Sequence, residues 1–391
     1  MKNQKRSFIW LIIFLVGFPQ ISETIYTPSL TFLAFEFGVS NNQIQKTLSI
    51  YFSGFSVGVF LWGILSDIIG RKSSMIAGIV IYIFGSILCL QSQSFEFLMF
   101  ARFIQAFGAA VGSNVSQTIL RDVYTDKERI GVFSTISGVL AFSPALGPLL
   151  GSIVASVWNV DMVFVLLIVI GSIAFLWSFA GLEETLVVQK SPQYNWKKIA
   201  KSIFTDKGFW IYGGLIGVIN GIIFSYYSEA PFIFIDHFKF SIVEYGCIGL
   251  VVALASFFGS RYCKKLSGIK SNTRILFVGN FTLFFGIGIF LFGVLFLNLN
   301  YLVMISAVLT AIFIIFFGIS CMLPICLSNA LLNHKSNLGI SGAVLGLYYY
   351  ALVGSITWSM SYFHTSSIIV FPLFLLFWFI INTILILLNR K

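Results

Sequence analysis

The sequence predicts an all-α integral membrane protein, with twelve transmembrane helices in two six-helix bundles. Three observations carry this. First, 58% of the 391 residues are hydrophobic and only 10% are charged. Ordinary soluble domains have about 45–50% and about 25%, so a water-soluble fold of this size would lack charge to cover its surface. Disorder needs the opposite composition. Second, the apolar residues form long continuous runs. One spanning helix takes about 20 of them, whereas a β-barrel would show alternating segments of about 10. Third, the basic residues gather between alternate runs.

The runs fall at residues 8–33, 45–66, 73–92, 95–119, 130–157 and 161–182, then at 209–235, 243–262, 274–297, 300–328, 338–361 and 366–388. The first follows Lys2, Lys5 and Arg6 as a signal peptide would. No small-residue cleavage pattern follows, and Glu23-Thr-Ile-Tyr comes instead, so it reads as a retained span. The longest polar stretch, 183–208, holds Pro192, Asn195, Trp196 and five lysines. It is expected to be a central cytoplasmic loop between an N-terminal bundle, 1–182, and a C-terminal bundle, 209–391. A weak internal repeat agrees. Pro28…Phe37-Gly-Val-Ser40 in the first half matches Pro231…Phe238-Lys-Phe-Ser241 in the second, as in parallel transporter repeats.

With the N-terminus inside, 21 of the 24 Lys and Arg residues lie on the inner side. Only Lys46 and Lys239 fall outside, and Arg102 falls within a span. The positive-inside rule then places both termini in the cytoplasm. The net charge of +10 is therefore a topology signal. A nucleic-acid role would need a basic soluble domain, and none is present. The five cysteines show no CxxC pair and imply no metal site or disulfide framework. His237, His334 and His364 all lie near loops, and HExxH and GxxxxGK[ST] are both missing. Neither an enzyme nor an ATP-driven pump is expected. No cofactor or metal is implied, and energy must come from an ion gradient.

A few residues carry the functional argument. Gly63-Ile-Leu-Ser-Asp67-Ile-Ile-Gly70-Arg71-Lys72 follows the second run. Gly70 suits a tight turn. Asp67, at a helix end, needs a basic side chain or a helix N-terminus. This pattern resembles motif A of the major facilitator superfamily, with Ile68 where a basic residue is usual. The second-half counterpart, Gly259-Ser-Arg261-Tyr-Cys-Lys264-Lys265, lacks the acid. Arg102 lies roughly 10 Å inside the fourth span, where a cation needs a carboxylate, a carbonyl or a water-filled cavity. With Gln105 and Gly108 it resembles motif B of proton antiporters in that superfamily, which implies proton coupling. Gly108 and Gly112 form GxxxG, a helix-packing pattern, and Arg121-Asp122 also fits the family. Gly138, Pro144, Gly147, Pro148 and Gly151 are expected to break or bend the fifth span. They resemble motif C, the signature of exporters, with Ser143 a mild departure.

Tyr26-Thr-Pro28-Ser-Leu resembles the bicyclomycin/chloramphenicol-resistance group of drug:proton antiporters. Thr24 occupies that group's usual Asp position. Glu23 is one residue earlier, turned by about 100°. Mid-span carboxylates are functional by default, so Glu23 is the expected proton or cation site, with Tyr26 beside it. In the seventh run Asn220 and Ser228-Glu229-Ala-Pro231-Phe supply further candidates, Glu229 lying towards the outer end. Asn114, Gln117, Asn280, Asn329 and Tyr348–Tyr350 are secondary cavity candidates that read individually as packing groups. Glu184-Thr185-Leu186 also resembles the group but suggests no mechanism.

The resemblance implies the major facilitator fold and alternating access in a bacterial inner membrane. It implies export of small amphipathic molecules by proton antiport. Burial favours the neutral acid at Glu23 and a nearby Arg102 favours the carboxylate, so a two-state proton switch is expected. A dedicated metabolite exporter, for example of a carboxylate siderophore, is the alternative. The expected partners are a small-molecule substrate and the lipid bilayer, with no nucleic acid, and a monomer is expected.

Overall fold

The computed structural model describes residues 2–124, 143–186, 196–296 and 301–389. All regular structure among these residues is helical. Eleven helices are long and apolar enough to cross a membrane, and Leu146–Val157 adds a shorter apolar one. In the first half the elements are α1 (Lys2–Thr24), α2 (Leu30–Glu36), α3 (Asn41–Ile69), α4 (Arg71–Leu90), α5 (Phe95–Val123), α6 (Ser143–Val157) and α7 (Asp161–Gly181). After α8 (Trp196–Thr205) come α9 (Lys207–Pro231), α10 (Ile242–Ser267), α11 (Asn272–Phe296), α12 (Tyr301–Asn329), α13 (Leu338–Phe363) and α14 (Val370–Leu388). The halves meet mainly where α3 packs on α13 and α6 packs on α10.

Three elements differ from the sequence reading. The first span is broken: α1 stops at Thr24, a 3-10 turn covers Thr27–Ser29, and α2 follows. Pro28 is the cause. It has no N–H to give to the carbonyl four residues back, and that carbonyl, Thr24 O, is taken instead by the Thr27 hydroxyl at 2.8 Å. The fifth span is described only from Ser143, so Gly138 lies outside the described residues. From Ser143 to Val157 the helix is continuous with Pro148 inside it, and no break occurs there. The central loop contains α8. Ile199 and Ile203, one turn apart, bury their side chains while Lys201 faces out. Two apolar positions are too few to register as a span in a lysine-rich stretch.

The internal repeat is present in the backbone. Gly38 and Lys239 both take a left-handed conformation, with φ of 62° and 55°. Two residues later Ser40 and Ser241 each form a capping box, with Gln43 and Glu244. Each box satisfies helix-start N–H groups that would otherwise be orphaned. At the other face the halves differ. In the first, Gly70 alone separates α3 from α4, with φ of 99°. In the second, α10 runs on to Ser267 and four residues separate it from α11.

Candidate functional site

Arg102 is the largest fully buried side chain, at 0% exposure. Small residues bring its surroundings together. A Cβ on Gly108 would strike Tyr82 and Gly78 of α4, and one on Gly112 would strike Leu15 and Phe18 of α1. These close approaches pull α1 and α4 onto α5. The guanidinium carbon then sits 3.9 Å from the Tyr26 ring centroid and 4.3 Å from that of Tyr51. A desolvated cation–π contact is worth about 2 kcal/mol, which offsets part of the cost of burying the charge. One guanidinium nitrogen donates to Gln105 Oε1. The Gln105 amide donates in turn to Ser86 Oγ at 2.8 Å, and the Tyr82 hydroxyl donates to Ser22 at 3.1 Å. Tyr26 and Thr47 hydroxyls are paired at 3.2 Å. Arg102 Nε and Nη2 have no hydrogen-bond partner among the described residues.

Glu23 ends the same part of α1 and is 3% exposed. Its Oε1 also has no hydrogen-bond partner among the described residues. The carboxylate lies within electrostatic reach of Arg102, Tyr51, Tyr349 and Tyr350. These residues lie on α5, α3 and α13, so its electrostatic reach extends to both halves. An acid and a guanidinium are thus buried within electrostatic reach of each other without forming a salt bridge, and each carries a polar atom with no hydrogen-bond partner among the described residues. Such atoms are costly where they are, and they are available to a proton or a ligand. Around them runs an aromatic seam between the halves. Phe52 meets Phe224 at 4.3 Å between centroids, and Phe55 meets Tyr350 at 4.6 Å.

The helix break beside Glu23 is held by α6. A Cβ on Gly147 would collide with Thr24 Oγ1, and one on Gly151 with the Ile25 carbonyl. Gly147 and Gly151 therefore act as a smooth face against the broken span. Pro144 lies at the start of the same helix.

The residues from Gly63 to Lys72 build a second cluster, at the basic face. Gly63 packs where a Cβ would reach Ala343 of α13. Arg71 bonds to Asp67 and, at 3.1 Å, to Asp122 of α5. Glu184, from beyond α7, accepts from the backbone N–H of Arg71 at 2.8 Å and of Lys72 at 3.2 Å. It caps α4, where the helix dipole favours an anion. Partial burial works to raise the Glu184 acid, but N–H donors from Leu186, Arg71, Lys72 and Thr185 outweigh it and hold it below its ordinary range. The Lys72 ammonium donates to Phe179 O at 3.0 Å. The sequence expectation that Asp67 needs a basic side chain holds through Arg71. The helix N-terminus goes to Glu184, to which the sequence reading assigned no role.

The remaining candidates separate. Glu229 is buried at 4% exposure and bonds to His364 Nδ1 at 2.8 Å and Gln45 Nε2 at 2.7 Å. Asn220 donates to Ile216 O of its own helix at 2.8 Å. The structure does not join it to the Arg102 chamber. Asn114 bonds to Val59 O, Asn280 to Thr383 and Asn382, and Asn329 to Asn272 and its own helix. These are helix-packing contacts. Tyr51, Gln45 and His364 are what sequence reasoning missed. Tyr51 precedes Phe55 by one helical turn on a buried face, a signal that reads as core. His364 and Gln45 are far apart in sequence, and only the fold pairs them.

A broken first span, a buried acid and guanidinium in the first bundle, and an aromatic seam between the bundles fit a multi-pass membrane transporter. A family model described as the Major Facilitator Superfamily matches residues 9–361, and the chain belongs to that superfamily. It is 31% identical to an uncharacterized transporter of Rickettsia felis, over 93% of this chain and 91% of the relative. It is 24% identical to a bicyclomycin resistance protein homolog of Haemophilus influenzae, over 70% and 71%. The name of the second relative agrees with the drug-resistance group that the first-span residues resemble. The fold is also that of the E. coli xylose transporter XylE in a partially occluded inward-open conformation. There the TM-score is 0.74 at 12% identity, covering 97% of this chain and 96% of that one.

Proposed function

We propose that this chain is a proton-coupled antiporter that exports small amphipathic molecules across a bacterial inner membrane. Both termini are cytoplasmic in this reading, as the placement of Lys and Arg favours. The bundles 1–182 and 209–391 rock about the central chamber, with 183–208 as the cytoplasmic connection. The protein acts as a monomer without a cofactor, driven by the proton gradient. Asp67, Gly70 and Arg71 brace the cytoplasmic turn.

The observation that carries the reading is Glu23: a buried acid with one oxygen, within electrostatic reach of a buried guanidinium with two nitrogens, that have no hydrogen-bond partner among the described residues. A proton arriving from outside binds Glu23, and an amphipathic cation bound against the aromatic seam competes for the same oxygen. Mutual exclusion of proton and substrate gives antiport. Two free guanidinium nitrogens also favour a second reading, in which a carboxylate metabolite is the exported ligand, since paired N–H groups match carboxylate geometry.

Purified protein in vesicles with a trapped pH dye tests the proposal. Tetraphenylphosphonium added under an imposed gradient is expected to drive proton movement through the wild type. Glu23→Gln and Arg102→Ala are expected to abolish it. Unchanged coupled flux in both variants removes these residues from the mechanism. Drive by benzoate and citrate but not by the cation supports the carboxylate reading.

A further inference from the structure

At the face opposite the basic loops, a cavity of about 220 Å³ lies beside a buried acid and imidazole that the chamber mechanism does not use. Asn41, at the start of α3, lines it from the N-terminal half. Glu229 on α9, Phe232 and Asp236 in the turn that follows, and His364 after α13 line it from the C-terminal half. Glu229 and His364 are buried, at 4% and 7% exposure, while Asp236 is exposed. His364 Nδ1 lies 2.8 and 2.9 Å from the two Glu229 oxygens. Gln45 Nε2 lies 2.7 Å from Glu229 Oε2 and 3.1 Å from Nδ1. A carboxylate only accepts, so both nitrogens give it a proton, and Nδ1 is the protonated nitrogen of the ring. In the neutral imidazole, Nε2 then carries a lone pair. Among the described residues, all hydrogen bonds of this ring run through Nδ1. Nε2 is not one of the fully enclosed orphan atoms, which leaves its lone pair on the cavity that His364 lines.

We infer that this cavity is a binding site for a small amphipathic ammonium ion, separate from the Glu23 chamber. The chemistry of its walls selects that class. An imidazole lone pair needs a hydrogen-bond donor. Two carboxylates, Glu229 and Asp236, line the cavity, and one lysine, Lys239, is within electrostatic reach of Asp236. A cleft lined mostly by one sign of charge concentrates the opposite ion, so a donor that is also a cation is favoured over a neutral hydroxyl or an anion. The Phe232 ring, 4.9 Å from the His364 ring between centroids, adds an apolar face that also attracts a cation. The volume falls below the usual lower end for drug-sized ligands, about 300 Å³, and suits an amine with a single ring. A carboxylate-backed imidazole is also how metal-binding histidines are held. No group of three ligating side chains forms among the described residues, however, so the walls match an organic cation better than a metal ion. The site needs no proton coupling and does not rest on the antiport reading.

The chain has three histidines, so each ring can be followed singly. Full-length protein with isotope-labelled histidine, in lipid nanodiscs, is titrated with benzylamine and read by nitrogen NMR. The pH is about 8, where an ordinary imidazole is neutral, and His364→Gln assigns the signal. The His364 Nε2 resonance is expected to move saturably, while that of His334, bonded to Asp206 at the basic face, stays. Benzoate, the same ring with the opposite charge, is expected to cause no saturable shift. Glu229→Gln should weaken benzylamine binding about tenfold, since a charge-assisted contact is lost. Asp236→Asn, at an exposed position, should weaken it about threefold and covers a failure of the first variant to fold. Glu23→Gln should bind benzylamine at His364 as the wild type does. An unmoved His364 signal, equal shifts from benzylamine and benzoate, or unchanged affinity in both carboxylate variants overturns the inference. A His364 response that disappears in Glu23→Gln places the ligand in the chamber and overturns it too.

Discussion

The two halves share a frame and differ in what they bury. Each has a proline near the end of its first long helix, a left-handed residue two positions before a serine, and a capping box on that serine. Yet the first half buries Glu23, Arg102, Gln105 and three tyrosines, Tyr26, Tyr51 and Tyr82, around one guanidinium and carboxyl group. The corresponding polar group deep in the second half is uncharged: Asn280, Asn382 and Thr383, bonded to one another between α11 and α14. Repetition fixes where helices begin. It does not fix which half carries charge. One bundle thus holds the central acid and guanidinium, and the other completes the aromatic seam and supplies the outer carboxyl–imidazole pair.

The largest expected effect tests that division. Arg102→Ala, and also Arg102→Lys, should lower coupled flux about tenfold or more, since couplings of this kind are typically 1–3 kcal/mol. Lysine keeps a charge but loses the planar fit between Tyr26 and Tyr51. Asn382→Ala should leave flux within about twofold while costing about 1–3 kcal/mol of stability from unsatisfied partners. Equal flux losses from both sites would break the comparison.

The turns at the basic face give the next test. Arg71→Ala removes a clamp on two carboxylates and should cost about 1–2 kcal/mol, discounted for partial exposure. Arg261→Ala, in the half whose counterpart lacks the acid, should stay within about 0.5 kcal/mol. Thermal unfolding of both variants in detergent checks the contrast. The Glu184 cap sharpens it through pH. Its acid is held below the ordinary 4.5, so its stabilisation is complete above that value and is lost as pH falls through the lower folded value. The stability gap between wild type and Glu184→Gln should therefore be full at pH 7 and close progressively below 4.5. A gap that is flat across that range would contradict the capping role.

The smallest effect concerns the repeated turn. Lys239 takes a conformation that costs an L-residue about 1–2 kcal/mol, so Lys239→Gly should raise stability by about 1 kcal/mol. Gly38→Ala should lower it by a similar amount. Opposite signs at paired positions, read by the same unfolding assay, would confirm that the turns are equivalent.

Much of this was legible in the sequence because membrane helices are long and charges inside them are rare. Arg102, Glu23 and Asp67 stood out for that reason. The break at Thr24 was hidden because Pro28 sits in an otherwise unbroken apolar run. The outer pair was hidden for a different reason. Glu229 read only as a residue towards the outer end and His364 as one near a loop, since their pairing joins positions 135 residues apart in the chain. Glu184 was read as a helix end, while its role is set by a turn 113 residues earlier. Sequence pattern reports local chemistry, and partnerships across the bundle are tertiary.

The central claim is that proton and substrate exclude each other at Glu23. It is tested most directly by proton release on binding. Tetraphenylphosphonium is added to detergent-solubilised protein in weak buffer with a pH dye, at a pH where the wild type is partly protonated. The wild type is expected to release protons as the cation binds, and Glu23→Gln to bind the cation with no release. Equal release from both proteins would contradict the account.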